Sequence, residues 1–221
     1  MRTVKATSRP RCCPARGAGA TLIEFALVLL LGVLPMVLGI LQIAALLVAR
    51  NTVNLATFLA ARQGAIANAD RSAMRRELAR GLLPLYVPAA RDGQVPAPVA
   101  LRAYASALED VLLLDELQIA APTGAQVEGL TQVRAGRSVI PNDALEYRDR
   151  RTQEANVLTL VVTHCHPLVV PFVGSALAEL LTAIDGDAID QRCYARGRAP
   201  LRARASVVMQ SDLWVASLAP R

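Results

Sequence analysis

From Gly17 to Val48 the chain is almost unbroken in Leu, Val, Ala, Ile, Gly and Met, and between Phe25 and Val48 the only strongly polar side chain is Gln42. At about 1.5 Å per helical residue this run is long enough to cross a hydrocarbon layer of roughly 30 Å. Helical spacing does not stop there. Val48, Leu55, Phe58, Leu59 and Ile66 recur at helical intervals through a proline-free stretch, which predicts one helix from about residue 20 to about 67, roughly 70 Å long. Pro35, Gly32 and Gly39 interrupt its composition and are candidate points of bending.

Beyond the helix the pattern becomes that of a folded domain. Asn68 to Ser72 reads as a turn and helix cap, followed by a short helix over about 73–83 that ends at Pro84, and by a Pro/Gly-containing loop from Pro88 to Pro98. Residues 98 to 115 form an amphipathic pattern with Leu101, Tyr104, Leu108, Val111 and Leu112 on one face, expected to be core. The period then changes. Leu117 to Ala121 predicts a strand, 123 to 154 a long excursion with little regular structure, and Asn156 to His166 a central strand, apolar on both faces. Val173, Ala176, Leu177, Leu180, Leu181 and Ile184 make a helical stripe. Pro171, Ser175, Glu179 and Thr182 mark that stretch as a packed or interfacial helix rather than a second span. A last strand over Leu201–Met209 turns Ala203, Ala205, Val207 and Met209 inward, and Arg202, Arg204 and Ser206 outward. The expected class is α+β: a long N-terminal transmembrane helix continuing into a small domain with helices and a mainly antiparallel sheet. The segments are a leader over 1–19, a span over 20–48, a helical extension over 49–70 and an exported domain over 71–221. About 170 residues follow the span, enough for one domain with its own core.

Charge gives the helix a direction. Residues 1 to 19 carry Arg2, Lys5, Arg9, Arg11 and Arg16 and no acid, whereas signs are mixed after Val48. The positive-inside bias places the N-terminus in the cytoplasm and residues from about 50 onward outside it. An ordinary cleaved signal peptide is the competing explanation, but its apolar region would be shorter and would gain nothing from an acid at its start. Without the leader, 19 basic residues face 18 acidic ones, so the formal net charge of +6 does not point to a nucleic-acid partner. The late arginines (Arg192, Arg196, Arg198, Arg202 and Arg204) read as solvated strand and loop charge rather than a polyanion or headgroup contact.

Four cysteines fall into two pairs. Cys12 and Cys13 lie in the leader, on the reducing side. Cys165 and Cys193 lie in the exported part, where a disulfide between them is favoured over two free buried thiols. His164 and His166 place two imidazoles on one strand face around Cys165, and with Asp185, Asp187 or Asp190 they are weak candidates for a metal site; a strand-end pair near a disulfide is the plainer account. The Asp185-Gly-Asp187-x-x-Asp190 stretch lacks the rest of an EF-hand loop and reads as a solvated turn. With no Gly-x-Ser-x-Gly, P-loop or dinucleotide fingerprint, neither an enzyme nor a cofactor is expected.

Glu24 is the remaining anomaly. A carboxylate at the edge of an apolar span is costly and by default functional, although one at a helix start is also favoured by the macrodipole. Gly19 followed by Ala20-Thr21-Leu22-Ile23-Glu24-Phe25 resembles the type IV prepilin processing motif. The resemblance implies cleavage of the Gly19–Ala20 bond by a prepilin peptidase. It also implies retention of the helix as anchor, and pairing of Glu24 with the new α-amino group of a neighbouring subunit. The Ala-rich stretch with Leu59-Ala60-Ala61-Arg62 is similar to TadE-like proteins of the tight-adherence pilus system. So are the blocks Ile140-Pro-Asn-Asp143 with Tyr147-Arg148, Ala155 to His164, Val170 to Gly174 and Pro200 to Gln210. There is no room for the larger exported domain of TadG-like proteins. Phe25-Ala26 replaces the Glu-Tyr pair of the major pilin, which together with the bulky domain implies a minor pilin or pseudopilin. Its partners would be the inner-membrane assembly platform, the major pilin and other minor pilins. A minor pseudopilin of a type II secretion system is the alternative within that class. A membrane-anchored periplasmic enzyme or metal-binding module is the alternative outside it.

Overall fold

The computed structural model describes residues 18–88, 94–143, 150–170, 173–184 and 187–218. Helix α1 (Ala18–Val28) passes through a π-helical turn (Leu29–Val33) into α2 (Leu34–Ile66). The stretch Leu22–Ile66 is one helix, long and apolar enough to cross a membrane, and is compatible with single-pass anchoring. The π turn has a local cause. Pro35 has no N–H, and its ring would press on the Leu31 carbonyl four residues earlier. Widening that turn, with the Leu34 N–H donating to the Leu29 carbonyl, relieves the clash without ending the helix.

Asn68 and Ala69, at φ 56° and 58°, reverse the chain after α2. Asp70 then caps α3 (Arg71–Gly81), accepting from the backbone N–H of Ser72 and of Ala73, each at 3.2 Å. The one-turn α4 (Leu83–Tyr86) and α5 (Ala97–Leu113) follow; the expected loop between them lies partly outside the described residues. Next come β1 (Glu116–Ala121), α6 (Gly124–Val127), β2 (Gln132–Arg134), β3 (Arg137–Ile140) and α7 (Arg150–Ala155). The chain continues through β4 (Val157–Pro167), α8 (Val173–Ile184), α9 (Ala188–Tyr194), β5 (Arg198–Val208) and β6 (Leu213–Trp214). A 3-10 turn over Val215–Leu218 closes the described chain.

Two antiparallel three-stranded sheets result, in the orders β1-β4-β5 and β2-β3-β6. In the first, Leu160 on the central strand stands opposite Ile119 on one side and Ala205 on the other. The outer half of α2 lies across this sheet and against α3, with Leu158, Leu160 and Val162 of β4, Ala203 and Ala205 of β5, and Met74 and Leu78 of α3 all buried in one core.

Three expectations are corrected. The segment 123–154 is not irregular. It holds the β2–β3 hairpin, turned by Ala135 and Gly136 at φ 48° and 73°, and β3 is extended by β6. Both turn residues take positive φ, as a two-residue hairpin loop of the I′ kind requires. Helix α9 replaces the solvated turn expected around Asp187, which is in fact its N-cap and accepts from the Ile189 N–H. On α5 the buried residues are Ala103, Ala107 and Val111, with Tyr104 and Leu108 at the margin, while Leu101 and Leu112 point outward. Close approach of α3 and α4 leaves room for methyl groups on that side rather than for leucines.

The tightest approach is at Gly81. A Cβ there would stand 2.6 Å from the Ala56 Cα and 2.7 Å from the Ala56 Cβ, so backbone must move to admit it. Gly81→Ala is expected to destabilise the domain by about 1–3 kcal/mol, read from the unfolding midpoint of the detergent-solubilised protein.

Candidate functional site

Gly19 and Ala20 lie in the first turn of α1, and Glu24 follows one turn after Ala20. Residues four apart share a helix face, and helical side chains lean toward the N-terminus, so the Glu24 carboxylate belongs to the same face as the Ala20 backbone nitrogen. Glu24 and Phe25 are both exposed in the isolated chain. The helix thus offers an acid and a bulky apolar ring side by side at its start, with nothing from the domain covering either.

Farther along, α2 has two unlike faces. The buried face is Ala49, Val53, Ala56, Thr57, Ala60, Ala61, Gly64 and Ala65, and it holds the domain. The outer face carries large apolar side chains among polar ones: Val48 is 64% exposed, Leu55 57%, Phe58 47% and Ile66 50%, beside the exposed Arg50, Asn51, Asn54 and Arg62. A soluble domain ordinarily turns its large apolar residues in and its small ones to either side. Here the order is inverted, because small residues let α2 approach the sheet and α3 closely. The large stripe continues the apolar surface of Leu22–Val48 outward along the rod. An unpartnered stripe of this kind marks an interaction surface.

Residues 19 to 62 match the family model described as TadE-like protein. Over this segment, about a fifth of the chain, the sequence is similar to that family. The match begins on Gly19 and ends on Arg62, so it covers the anchor and most of the domain-bearing helix, and the later blocks quoted above lie beyond it. No curated protein and no solved structure matches the chain.

Behind the TadE-like helix the domain contains a buried polar cluster where α5 ends against β4. Asp115, just past α5, accepts the Cys165 N–H on Oδ1 at 3.1 Å, and its Oδ2 lies 2.7 Å from His164 Nδ1. Both side chains are essentially inaccessible. Asp110, within α5, accepts from the Tyr86 hydroxyl at 2.6 Å and from Arg198 Nη1 at 2.8 Å, while that same nitrogen reaches the Cys165 carbonyl at 3.1 Å. The two carboxylates therefore secure both backbone groups of one strand residue. Burial and the adjacent Asp110 carboxylate push the Tyr86 hydroxyl well above its ordinary range. Burial, and then the electrostatic influence of the nearby His164 and Arg198, push His166 down to about 4.

Cys165 and Cys193 form a disulfide that ties β4 to α9, with Cα atoms 5.3 Å apart. The rings of His164 and His166 are 6.1 Å apart. With the sulfur of Cys165 committed and Asp115 taken by His164, no group of three or more His, Cys, Asp or Glu side chains among the described residues stands ready to hold a metal ion. Asp185 lies outside the described residues. Asp187 and Asp190 both engage Arg202, Arg192 pairs with Glu116, and Arg198 with Asp110, so several of the late arginines are part of the domain's own ion pairs. Asp110, Asp115 and Tyr86 had no sequence signal of their own. Gln42 did, as the lone polar side chain of the span, and its role is taken up below.

Two outcomes follow from the cluster. The disulfide closes a loop of 28 residues, so reducing it is expected to cost about 3.5 kcal/mol in the chain-entropy account; unfolding with and without reductant measures this. The unfolded His166 binds protons near its ordinary 6.5, the folded one only near 4. The unfolded state therefore takes up more protons between these values, so stability falls as pH drops from about 6.5 to about 4. His166→Gln is expected to flatten that limb in a pH series of thermal midpoints, leaving only the carboxylate-driven loss at lower pH.

Proposed function

We propose that this chain is a minor pilin-like subunit that supports assembly of a type IVb tight-adherence pilus for adhesion and biofilm formation. The observation that carries the proposal is one helix with three properties. It starts at a processing-type glycine, holds Glu24 a turn beyond Ala20, and turns its large apolar side chains away from the domain it bears. The TadE-like match over the same residues supports it.

In this account the basic leader stays in the cytoplasm, and a prepilin peptidase cuts after Gly19. The domain lies in the periplasm, where the Cys165–Cys193 bridge is at home. Cleavage creates an ammonium on Ala20, with a reference pKa near 8. Glu24 of one subunit pairs with the ammonium of a neighbour. Such a pair adds little net stability in a nonpolar setting, but a missing partner is heavily penalised, so it fixes register. Phe25, Leu55, Phe58 and Ile66 supply the apolar contact with the inner-membrane assembly platform, the major pilin or other minor pilins. The exported domain acts as a support or regulator at pilus base or tip, and not as an enzyme.

The test combines processing with imaging. Mass spectrometry of the membrane-extracted protein is expected to find an N-terminus at Ala20, and Gly19→Leu to leave the leader attached. Glu24→Leu is expected to abolish surface filaments. Phe58→Asp, at an exposed site, should shift domain stability by no more than about 0.5 kcal/mol and still reduce filaments. Normal filaments with both Glu24→Leu and Phe58→Asp would overturn the proposal. Lost protein export with filaments intact would move it to a type II secretion pseudopilin.

A further inference from the structure

Gln42 lies six residues on the membrane side of Val48, about 9 Å along the helix axis. It is nonetheless 1% exposed, and its Oε1 accepts the backbone N–H of Val170 at 2.9 Å. The domain therefore does not begin where the apolar run ends. It climbs the helix into that run, and α8 packs on α2. Helix residues become partly covered from Leu38 onward, at Leu38, Gln42, Ala45 and Leu46. Only Phe25 to Val37 stand wholly clear of the domain past Glu24, about 20 Å of helix against a hydrocarbon thickness of roughly 30 Å. With Glu24 at the inner edge of the layer, about 10 Å of it is filled by helix that carries protein on one side; with Ala20 there, about 3 Å.

That protein is suited to lipid. From Leu168 to Ile184 the only charged residue is Glu179. Val169 is 70% exposed and Leu180 57%, with no partner covering them in the domain. Backbone at membrane depth has no water to bond, so a non-helical stretch is tolerated there only if its polar groups are met by protein. In this one, three such contacts are made by protein. The Leu168 N–H donates to the Gly197 carbonyl at 3.4 Å, the Val170 N–H to Gln42, and the Val170 carbonyl accepts the Gly174 N–H at 3.0 Å. A single glutamine inside an apolar helix is costly in lipid, and here it is spent on a donor that would otherwise be bare.

We infer that the Leu168–Val170 turn and α8 are seated in the outer leaflet of the bilayer, beside α2, as an interfacial wedge with Val169 and Leu180 among the acyl chains. The occupant of this surface is lipid, reached because the apolar helix beside it leads directly into the layer. An amphipathic helix held at this depth buries its apolar face about 5–10 Å into the boundary of headgroup and chain. The wedge fixes the height and rotation of the domain above the membrane. The inference rests on the proposed span.

The experiment places one reporter at a time in the full-length protein, in a Trp214→Phe background, reconstituted in phosphatidylcholine vesicles with or without bromine on the acyl chains. Val169→Trp and Leu180→Trp test the wedge. Leu30→Trp reports on the span, and Val133→Trp, exposed on the hairpin near the far end of α2, on the aqueous side. The expected result is bromine quenching of the Val169 and Leu180 reporters comparable with that of Leu30→Trp, and none for Val133→Trp. Quenching of Leu30→Trp alone would overturn the inference and leave the span standing. Blue-shifted but unquenched emission at 169 and 180 would also overturn it, showing cover by protein. An unquenched Leu30→Trp would remove the span and the inference together.

Discussion

The close approach of α2 to its neighbours depends on a helical face with almost no side-chain bulk. Ala56 and Gly81 meet backbone to backbone, and Gly64 leaves only enough room for Met74 and Leu158. Methyl groups bury little area each, so the stabilisation comes from what the thin face admits: Met74, Leu78, Leu158, Leu160 and Val162, all fully inaccessible. The consequence reaches function. A helix that binds its domain through alanine has its leucines, isoleucine and phenylalanine left over for another partner.

The opposite margin of the sheet is held by charge rather than by shape. Asp110 and Asp115 come from the last turn of α5 and the residues beyond it, and together they fix the Cys165 N–H and carbonyl, the former directly and the latter through Arg198. The disulfide from the same residue then holds α9. Buried carboxylates are tolerable only when each is paired and hydrogen-bonded, and both are. His164 and His166 belong to this clamp. Asp115 on His164 Nδ1 is the kind of partner that orients a metal-binding imidazole elsewhere, but here the neighbouring cysteine is oxidised and the second carboxylate serves Tyr86 and Arg198.

What could be read from the residues was what they state locally. The apolar run, the caps at Asp70, and the long strands Val157–Pro167 and Arg198–Val208 carry their own periodicity over many residues, and each stands where its pattern put it. The β2–β3 hairpin escaped because strands of three and four residues show no alternation, and Ala135-Gly136 lacks the asparagine or aspartate that signals such a turn. The orientation of α2 escaped for a different reason. Periodicity identifies a stripe of large apolar residues but not whether that stripe faces the protein's own core. Leu55, Phe58 and Ile66 obey helical spacing, and so do Ala49, Ala56 and Ala60; only packing decides between them. The same ambiguity misplaced Leu101 and Leu112 on α5. Of the candidate site, Gly19, Glu24 and the cysteine pair could be named from sequence, whereas Asp110, Asp115 and Tyr86 become visible only when chain segments far apart are brought together.

The extent of the family match has a physical counterpart. The matched helix combines an apolar length with small side chains at the positions that face the domain. A domain that only has to fill volume against that small face can meet its needs with many sequences, since cores accept varied hydrophobic residues when overall volume and pattern are kept. The match stops at Arg62, four residues before α2 does, while the sheet and α3 pack on that same helix from outside it. Gln42 is where the two regimes meet. It lies within the matched segment, but its bonding partner, Val170, lies outside it. The domain is thus joined to the rod by a contact between the matched part of the chain and the unmatched one, made through the Gln42 oxygen alone, since its buried Nε2 has no partner among the described residues.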